Sequence, residues 1–306
     1  MPVLLYVGFI AFRKFSPKND GVIQELEEIK KTVSQLQDKP ADYVAQNSNK
    51  NLDQTKDEFI SFVSHELRAP MGAVKGLVSM MLKGDYGPTP ERFRQPLSNV
   101  YVSAERQIRM INDILNISRF QSGRIRYTLL DFSLEKVTSQ IVDEQQSVAR
   151  QRRITLAAAS GTETMVQGDD IWVKQILDNV IGNAVKFTEE GSVTITFATR
   201  GDLAEVIVTD SGIGIDPNDQ EKLFIKFQKL SGTLLQKTIG TGLGLYISRE
   251  VSRKMGGYVR LEKSEPRKGS TFVFSLPRAG SELASQTRSI LEKQMLLALN
   301  SNSVAQ

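Results

Sequence analysis

The stretch FISFVSHELRAPMGAVKGLVSMM at residues 59–81 decides the fold of the first half of this chain. Its apolar side chains recur every three or four residues, close to a heptad, which predicts a long amphipathic helix over about residues 53–83. The apolar line of this helix consists of Phe59, Val63, Leu67, Pro70, Val74, Leu77 and Met81.

A second helix follows after a short break. The segment Gly84 to Pro88 interrupts the pattern, Thr89 is a suitable N-cap, and Pro90 is a suitable first helical residue. The helix is predicted to end before Gly123, and its apolar line consists of Phe93, Leu97, Val100, Ala104, Ile108, Ile111, Leu115 and Ser118. Two long helices joined by a short turn predict an antiparallel hairpin. One hairpin leaves an apolar stripe uncovered, so we expect two chains to pair as a homodimeric four-helix bundle.

The single histidine of the chain, His65, lies in the first of these helices. It is two residues from Val63 on the apolar line, about 200° around a helix, so its imidazole is expected to face solvent. An exposed imidazole is largely neutral at pH 7 and offers a free ring lone pair, and Glu66 beside it can hold the other ring N–H. Pro70 removes a helical hydrogen bond and is expected to bend the helix there. A reactive nucleophile and an ordinary surface histidine both fit this pattern.

From about residue 129 the pattern changes to alternating helices and strands, which predicts an α+β sandwich of about 150 residues. Helices are predicted over 133–152, 169–187, 218–227 and 243–255, and strands over 154–159, 192–199, 204–209, 258–263 and 271–276. We divide the chain into five parts: an apolar N-terminal segment (1–15), a coiled-coil-like helix with a linker (16–52), a dimerisation domain (53–128), the sandwich domain (129–278) and an unassigned tail (279–306).

Composition excludes several classes of function. The 306 residues contain no cysteine and one histidine, which excludes disulfides, zinc–thiolate sites, cysteine nucleophiles and sites that need two imidazoles. Lys and Arg number 39 against 35 Asp and Glu, a net charge of +4, and no block of like charges predicts nucleic-acid binding.

The N-terminus allows two interpretations. The segment Val3 to Phe12 is apolar throughout, but a bilayer span needs about 20 such residues. It is either a short or truncated membrane anchor or a loosely packed leader. The positive charges that follow it (Arg13, Lys14, Lys18) would keep the remaining domains cytoplasmic if the segment inserts.

Three polar residues of the helix over 169–187 have the spacing of a single face. Asn179, Asn183 and Lys186 are separated by four and three positions, opposite an apolar face. Two carboxamides and an ammonium suit a magnesium–polyphosphate group, because amide oxygens bind the metal and the ammonium binds phosphate. An ordinary solvated helix face gives the same pattern.

Two glycine-rich segments flank a polar stretch, 229–239, that has the composition of a mobile lid. Asp210 to Ile215 (DSGIGI) follows an apolar strand, where a carboxylate can accept from an exocyclic amine while glycines let the backbone approach a flat ring. Gly240 to Leu245 (GTGLGL) opens a helix, where free N–H groups bind phosphate, although it lacks the Lys-Ser/Thr of a P-loop. A plain turn explains the first segment equally well.

Taken together, these segments resemble the bacterial sensor histidine kinases of two-component signalling. The resemblance covers about residues 56–277 and rests on five segments in family order. They are the H-box at 62–70, the N-box at 178–188, the first glycine box at 210–215, the aromatic box at 223–227 and the second glycine box at 240–245.

The resemblance implies a mechanism and a set of roles. ATP and Mg²⁺ would be the cofactors, the sandwich would be of the gyrase, chaperone and histidine kinase type, and a response regulator receiver domain would accept the phosphoryl group. His65 would be the phosphoacceptor, Glu66 its acid/base partner, and Asn183 with Asn179 the metal ligands. The remaining residues of the ATP site would be Lys186, Phe187, Asp210, Gly212, Gly214, Lys229, Gly240, Thr241, Gly242, Leu243 and Gly244.

Two positions depart from the family pattern. Many members carry Thr or Asn four residues after the histidine, where this chain has Ala69, so weak or absent phosphatase activity is expected. Lys229 stands where an arginine is often found in the lid. Its ammonium is a point charge, whereas the guanidinium of arginine is planar and forked.

Two other classes of function fit the sequence less well. A plain ATPase of the chaperone or gyrase kind uses a glutamate to activate water where this chain has Asn179, and a binding-only scaffold would not need the intact boxes. Residues 121–126 are a plausible hinge for the swing that would bring ATP to His65.

Overall fold

The computed structural model describes residues 52–121, 125–159, 163–228 and 241–303. They fall into two compact units, the first holding residues 52–121 and the second residues 125–303 with the gaps just given. The N-terminal apolar segment, nearly all of the coiled-coil-like region, Lys229 and Gly240 lie outside the described residues. Within the described part of the chain, no helix is both long and apolar enough to cross a bilayer.

The first unit is a helical hairpin formed by helix α1 (Leu52–Lys83) and helix α2 (Glu91–Gln121). Helix α1 continues through Pro70, which lies inside it. Helix α2 begins one residue later than a cap at Thr89 predicts, and the Thr89 hydroxyl donates to the carbonyl of Met81 instead. This bond ties the turn to the end of α1.

The two helices pack along the predicted apolar lines and are joined by polar contacts. Leu77, Ala104, Ile111 and Leu115 are buried between them. Arg68 Nη2 donates to Asn112 Oδ1 at 2.7 Å. Some apolar residues stay exposed in the single chain, and Val100, on the predicted line, keeps 45 % of its surface accessible.

The second unit is built on a five-stranded sheet of β2 (Ile154–Ala158), β4 (Gly191–Arg200), β5 (Leu203–Asp210), β6 (Tyr258–Glu265) and β7 (Gly269–Pro277). The strand order in this sheet is β2-β4-β5-β7-β6. Strands β2 and β4 are parallel, and the other neighbouring pairs are antiparallel. A separate two-stranded ribbon, which the sequence patterns did not predict, pairs β1 (Leu130–Ser133) with β3 (Met165–Gly168).

Helices form the second layer of this unit. Helix α3 (Leu134–Gln151) and helix α4 (Asp170–Phe187) begin at side-chain caps, Ser133 and Asp169. Helix α5 (Pro217–Gln220) leads into a 3₁₀ turn over residues 221–224, and helix α6 (Gly244–Lys254) packs against α4. The core between the layers contains Val173, Ile176, Leu177, Ile195, Val206 and Phe274, all at most 1 % exposed. The architecture is thus the α+β sandwich that the sequence patterns predict.

The unassigned tail contains a helix, α7 (Glu282–Ser303). Its first turns belong to the second unit, because Ala284 is 1 % exposed and Thr287 is 7 % exposed. The Leu283 N–H donates to Asp202 Oδ2 at 3.2 Å, and a side chain at Gly256 would overlap the Thr287 hydroxyl. Helix α7 therefore packs against the turn that contains Gly256. The spacing of hydrophobic residues does not indicate a contact of this kind.

Candidate functional site

The imidazole of His65 is the most exposed of the candidate groups. Its side chain is 79 % accessible, in agreement with the solvent-facing position that helical spacing predicts. Glu66 lies beside it, with His65 Nδ1 and Glu66 Oε1 3.9 Å apart. This distance is longer than a hydrogen bond but close enough for the carboxylate to favour an N–H at Nδ1. Such a tautomer leaves the Nε2 lone pair directed away from the carboxylate.

Ala69 occupies the helical position one turn after the histidine and is exposed. Its methyl group has no hydrogen-bonding capacity, so the surface beside His65 cannot orient a water molecule from this position.

Helix α4 carries the three polar residues that the spacing placed on one face. Asp169 caps this helix through a bond from the Trp172 N–H to Oδ1 at 3.3 Å, while Oδ2 accepts from the Thr128 N–H at 2.8 Å. The buried apolar face anchors the helix to the sheet through Val173, Ile176, Leu177, Val180, Ile181, Ala184 and Val185.

Asn179 and Asn183 are brought together on the exposed side of α4. Asn183 Nδ2 donates to Asn179 Oδ1 at 3.4 Å, and Asn179 Nδ2 donates to the hydroxyl of Ser248 on α6 at 3.0 Å. These two hydrogen bonds form an amide chain that runs from Ser248 on α6 through Asn179 to Asn183.

Lys186 and Phe187 close the C-terminal turn of the same helix. The ammonium of Lys186 lies 4.8 Å from the centroid of the Phe187 ring, a cation–π distance. The carbonyl of Phe187 accepts from the Ile213 N–H at 3.2 Å, which joins the end of α4 to the first glycine-rich segment. A cation, an aromatic ring and that segment are therefore adjacent.

Asp210 ends strand β5 and is 7 % exposed. Its Oδ1 accepts from the N–H groups of Gly212 at 2.9 Å and of Ser270 at 3.2 Å. Burial raises the pKa of Asp210 above its ordinary value, and the two backbone bonds oppose that rise. Among the described residues both backbone donors reach Oδ1, so Oδ2 keeps its lone pairs for a ligand.

The described glycines of the two segments stand where a side chain would not fit. A Cβ at Gly212 would overlap the Phe187 carbonyl, and one at Gly214, where φ is +64°, would overlap the Glu265 carbonyl. A Cβ at Gly244 would overlap the carboxamide oxygen of Asn179. Close backbone approach is therefore a property of the fold at these positions.

The second glycine-rich segment is described from Thr241 onward. The Thr241 hydroxyl accepts from the Leu243 N–H at 3.3 Å, and Leu243 is fully buried. Gly242, with φ of +73°, lies against the backbone of Phe227 and Gln228. The segment is thus anchored in the core immediately before α6 begins.

The donor set fits magnesium bound together with a polyphosphate. Amide oxygens are hard ligands of the kind Mg²⁺ takes, and Mg²⁺ is usually completed by water and phosphate oxygens. Among the described residues, no group of three or more His, Asp or Glu side chains could hold a metal ion alone.

Sequence reasoning missed two residues of the site. Ser270 is 60 positions from Asp210 and becomes its neighbour only through the pairing of β5 with β7. Ser248 contacts Asn179 across 69 positions, and a serine within a helix carries no local signal of such a contact.

Two protein-family models match this chain. The family described as His Kinase A (phospho-acceptor) domain matches residues 55–123, and the family described as Histidine kinase-, DNA gyrase B-, and HSP90-like ATPase matches residues 168–280.

Full-length relatives have similar sequences in this region. The circadian input-output histidine kinase CikA of Synechococcus elongatus is 36 % identical over 226 residues, covering 72 % of this chain and 30 % of that protein. The signal transduction histidine-protein kinase BarA of Escherichia coli is 31 % identical over 264 residues, covering 84 % and 28 %. The sensor-like histidine kinase SenX3 of Mycolicibacterium smegmatis is 30 % identical, covering 76 % and 60 %. The chain thus spans less than a third of the length of the first two.

Solved structures extend the likeness to the fold. Full-length ShkA in complex with AMPPNP superimposes with a TM-score of 0.60 at 29 % identity, covering 73 % of this chain and 46 % of that one.

Proposed function

This chain belongs to the bacterial two-component sensor histidine kinases, and from that premise we propose that it transfers the γ-phosphoryl group of ATP to His65 and then to an aspartate of a response regulator. The observation that carries the proposal is the presence of one exposed imidazole in the first unit and of a buried carboxylate and two hydrogen-bonded carboxamides in the second. The two halves of a phosphoryl transfer are thereby assigned to separate units.

The second unit would bind the nucleotide. Asp210 Oδ2 would accept from the exocyclic amine of adenine, because Oδ1 is already held by two backbone N–H groups. The ring of Phe187 would line the base pocket, and Lys186 would contact phosphate. Asn183 and Asn179 would hold Mg²⁺, which when bound neutralises charge on the phosphates. Thr241, Gly242, Leu243 and Gly244 would shape the phosphate end; Lys229 and Gly240 stay predictions outside the described residues.

The first unit would supply the nucleophile. His65 Nε2 attacks the γ-phosphorus, a P–N bond forms, the bond from phosphorus to the bridging β,γ-oxygen breaks, and ADP leaves. Glu66 would hold the Nδ1 proton and stabilise the positive charge that develops on the ring. Catalysis would rest on positioning and charge neutralisation, since the transition state spreads charge over the γ-phosphoryl oxygens.

Two partners follow from this mechanism. A second copy of the chain would cover the apolar surface that the hairpin leaves exposed, giving a homodimeric four-helix bundle. The receiver domain of a response regulator would take the phosphoryl group from His65. Membrane contact through residues 1–15, and a cytoplasmic location of the catalytic units behind such an anchor, stay predictions on residues that the structure does not describe.

The test is incubation of the purified chain with γ-labelled ATP and Mg²⁺. A histidine kinase acquires label that is labile to acid and stable to base, and His65→Gln abolishes the label while ATP still binds. Release of free phosphate without protein label would establish a plain ATPase instead. A chain that neither acquires label nor releases phosphate would be a scaffold instead.

We further propose that the chain is a poor phosphatase toward its phosphorylated partner, because Ala69 cannot orient water beside His65. Incubation of a phosphorylated response regulator with the chain and ADP should give hydrolysis close to the spontaneous rate. Ala69→Thr should raise that rate. Efficient hydrolysis by the unaltered chain would contradict the proposal.

A further inference from the structure

The carboxamide of Asn179 is held from the side of helix α6. Its Nδ2 donates to the hydroxyl of Ser248 at 3.0 Å, and Ser248 is only 3 % exposed. Gly244, one turn earlier on α6, lies so close to the carboxamide oxygen of Asn179 that a side chain there would overlap it. The amide is therefore enclosed by one turn of α6 and has little room to rotate.

This contact determines the direction of the amide chain. With Nδ2 of Asn179 bonded to Ser248, its Oδ1 turns toward Asn183 and accepts from Asn183 Nδ2 at 3.4 Å. Because the Nδ2 of Asn183 is engaged there, its Oδ1 is left as the acceptor end, and no described residue donates to it. An amide oxygen without a protein partner is what an oxygen-seeking cation requires.

We propose that Ser248 is a positioning residue for the metal site: its hydroxyl accepts from Asn179 Nδ2, which turns Asn179 Oδ1 toward Asn183 Nδ2 and so leaves Asn183 Oδ1 as the oxygen available to Mg²⁺. The inference rests on the proposed function, in which those two residues hold the ion. Groups that orient metal ligands from outside the coordination sphere commonly contribute strongly to metal affinity.

A neighbouring serine shows that burial alone does not explain this contact. Ser252 lies one turn further along α6 and is fully buried, and its hydroxyl donates to the carbonyl of Arg249 at 2.9 Å within the same helix. Ser252 is satisfied locally, as helical serines often are. Ser248 instead bonds to the helix that carries the ligands, and alanine there would leave the Nδ2 of Asn179 unpaired.

The experiment compares nucleotide binding with and without the metal. Calorimetric titration of the whole chain with a non-hydrolysable ATP analogue gives one Kd in excess Mg²⁺ and one Kd in EDTA. For Ser248→Ala, we expect the gain in affinity that Mg²⁺ provides to fall about tenfold, while the Kd in EDTA changes little. Ser252→Ala, the matched control, should retain the full gain, and Ser248→Thr, which keeps a hydroxyl, should recover most of it.

The outcomes separate this inference from the proposed function. If the unaltered chain does not bind the analogue with Mg²⁺, the proposed function itself fails. If the unaltered chain binds with a metal-dependent gain that Ser248→Ala shares, Ser248 has no positioning role although the function stands. If Ser248→Ala does not fold, Ser248→Thr is compared with Ser248→Cys, whose thiol is a weak acceptor. A smaller Mg²⁺-dependent gain in affinity for the cysteine variant supports the inference. Equal gains for the two variants contradict it.

Discussion

The helical hairpin and the sandwich hold their reactive groups in opposite ways. The imidazole of His65 is 79 % accessible, and its Nδ1 lies 3.9 Å from Glu66 Oε1. Asp210 is 7 % exposed and accepts two backbone N–H bonds at 2.9 and 3.2 Å on one oxygen. The hairpin presents a group that is free to meet other molecules, whereas the sandwich fixes its group before any ligand arrives.

The difference follows from what each group has to do in the proposed reaction. His65 must meet a nucleotide first and a receiver aspartate afterwards, so it needs open space around the ring. The nucleotide pocket has one ligand, and groups fixed in advance avoid the cost of ordering them when it binds. Substitutions should therefore act on binding and stability in the sandwich and on encounters between molecules in the hairpin.

The largest expected effect is at Asp210. Asp210→Asn keeps a side chain of the same shape but replaces the acceptor Oδ2 with an amide donor, which opposes the adenine amine. We expect ATP affinity to fall by about 100-fold, the loss of a strong bond to a charged group. Asp216→Asn is the control, because Asp216 is exposed and bonds locally to Asn218. Calorimetry should show the control within about twofold of the unaltered chain, well below the effect of a lost bond; equal losses at both positions would contradict the assignment.

A second effect separates a crowded left-handed glycine from an open one. Gly214 and Gly201 have φ values of +64° and +59°, but only a side chain at Gly214 would overlap a neighbour, the carbonyl of Glu265. Gly201→Ala should cost about 1–2 kcal/mol of unfolding free energy from backbone strain alone. Gly214→Ala should cost about 3 kcal/mol or more, because the clash adds to the strain. Urea unfolding measures both, and similar losses would show that the loop at Gly214 can move aside.

Substitutions on the surface of the hairpin should change the dimerisation of the chain instead. Val100 and Val102 are 45 % and 37 % exposed, yet only Val100 lies on the apolar line, and two helical positions put them on different sides of α2. Val100→Asp should weaken dimerisation about tenfold or more, because a charge would be buried in the bundle. Val102→Asp should leave it nearly unchanged. Sedimentation equilibrium distinguishes the two, and a monomeric unaltered chain would overturn the bundle itself.

The smallest effect is the pH dependence of stability at Asp210. Burial raises the pKa of Asp210 in the folded chain, so the folded chain binds the carboxyl proton more tightly than the unfolded chain does. The ionised carboxylate therefore lowers the stability of the folded chain at neutral pH. Asp210→Asn cannot ionise, so the variant should be at least as stable as the unaltered chain at pH 7. That advantage should shrink as the pH falls through the raised pKa of Asp210. Thermal unfolding of both proteins from pH ~4, near the ordinary pKa of aspartate, up to pH ~7 tests the direction of this change. A stability advantage of Asp210→Asn that grows as the pH falls would contradict the prediction.

The parts that sequence reasoning predicted are those with local causes. Helix α4 begins at the Asp169 cap and carries its apolar face at regular spacing, so its bounds agree with the prediction to within one residue. The exposure of His65 follows from its position relative to Val63 in one helix. Local rules of capping and periodicity are enough for such features.

The parts that were missed depend on distant contacts. The amide chain needs Ser248 beside Asn179, and the docking of α7 needs Thr287 beside Gly256. Serine, threonine and glycine give weak hydrophobic signals, so periodicity did not reveal either contact. Both arise only when the sheet and the helix layer have assembled.

The most direct test of the account is to locate the phosphoryl group on the intact chain. After incubation with ATP and Mg²⁺, the protein is digested at alkaline pH, where phosphohistidine survives, and its peptides are analysed by mass spectrometry. We expect one phosphorylated position, His65, and no phosphopeptide from a chain that carries Asp210→Asn at limiting ATP. A phosphoryl group on any other residue, or one that persists at His65 when the Asp210 variant no longer binds ATP, would contradict it.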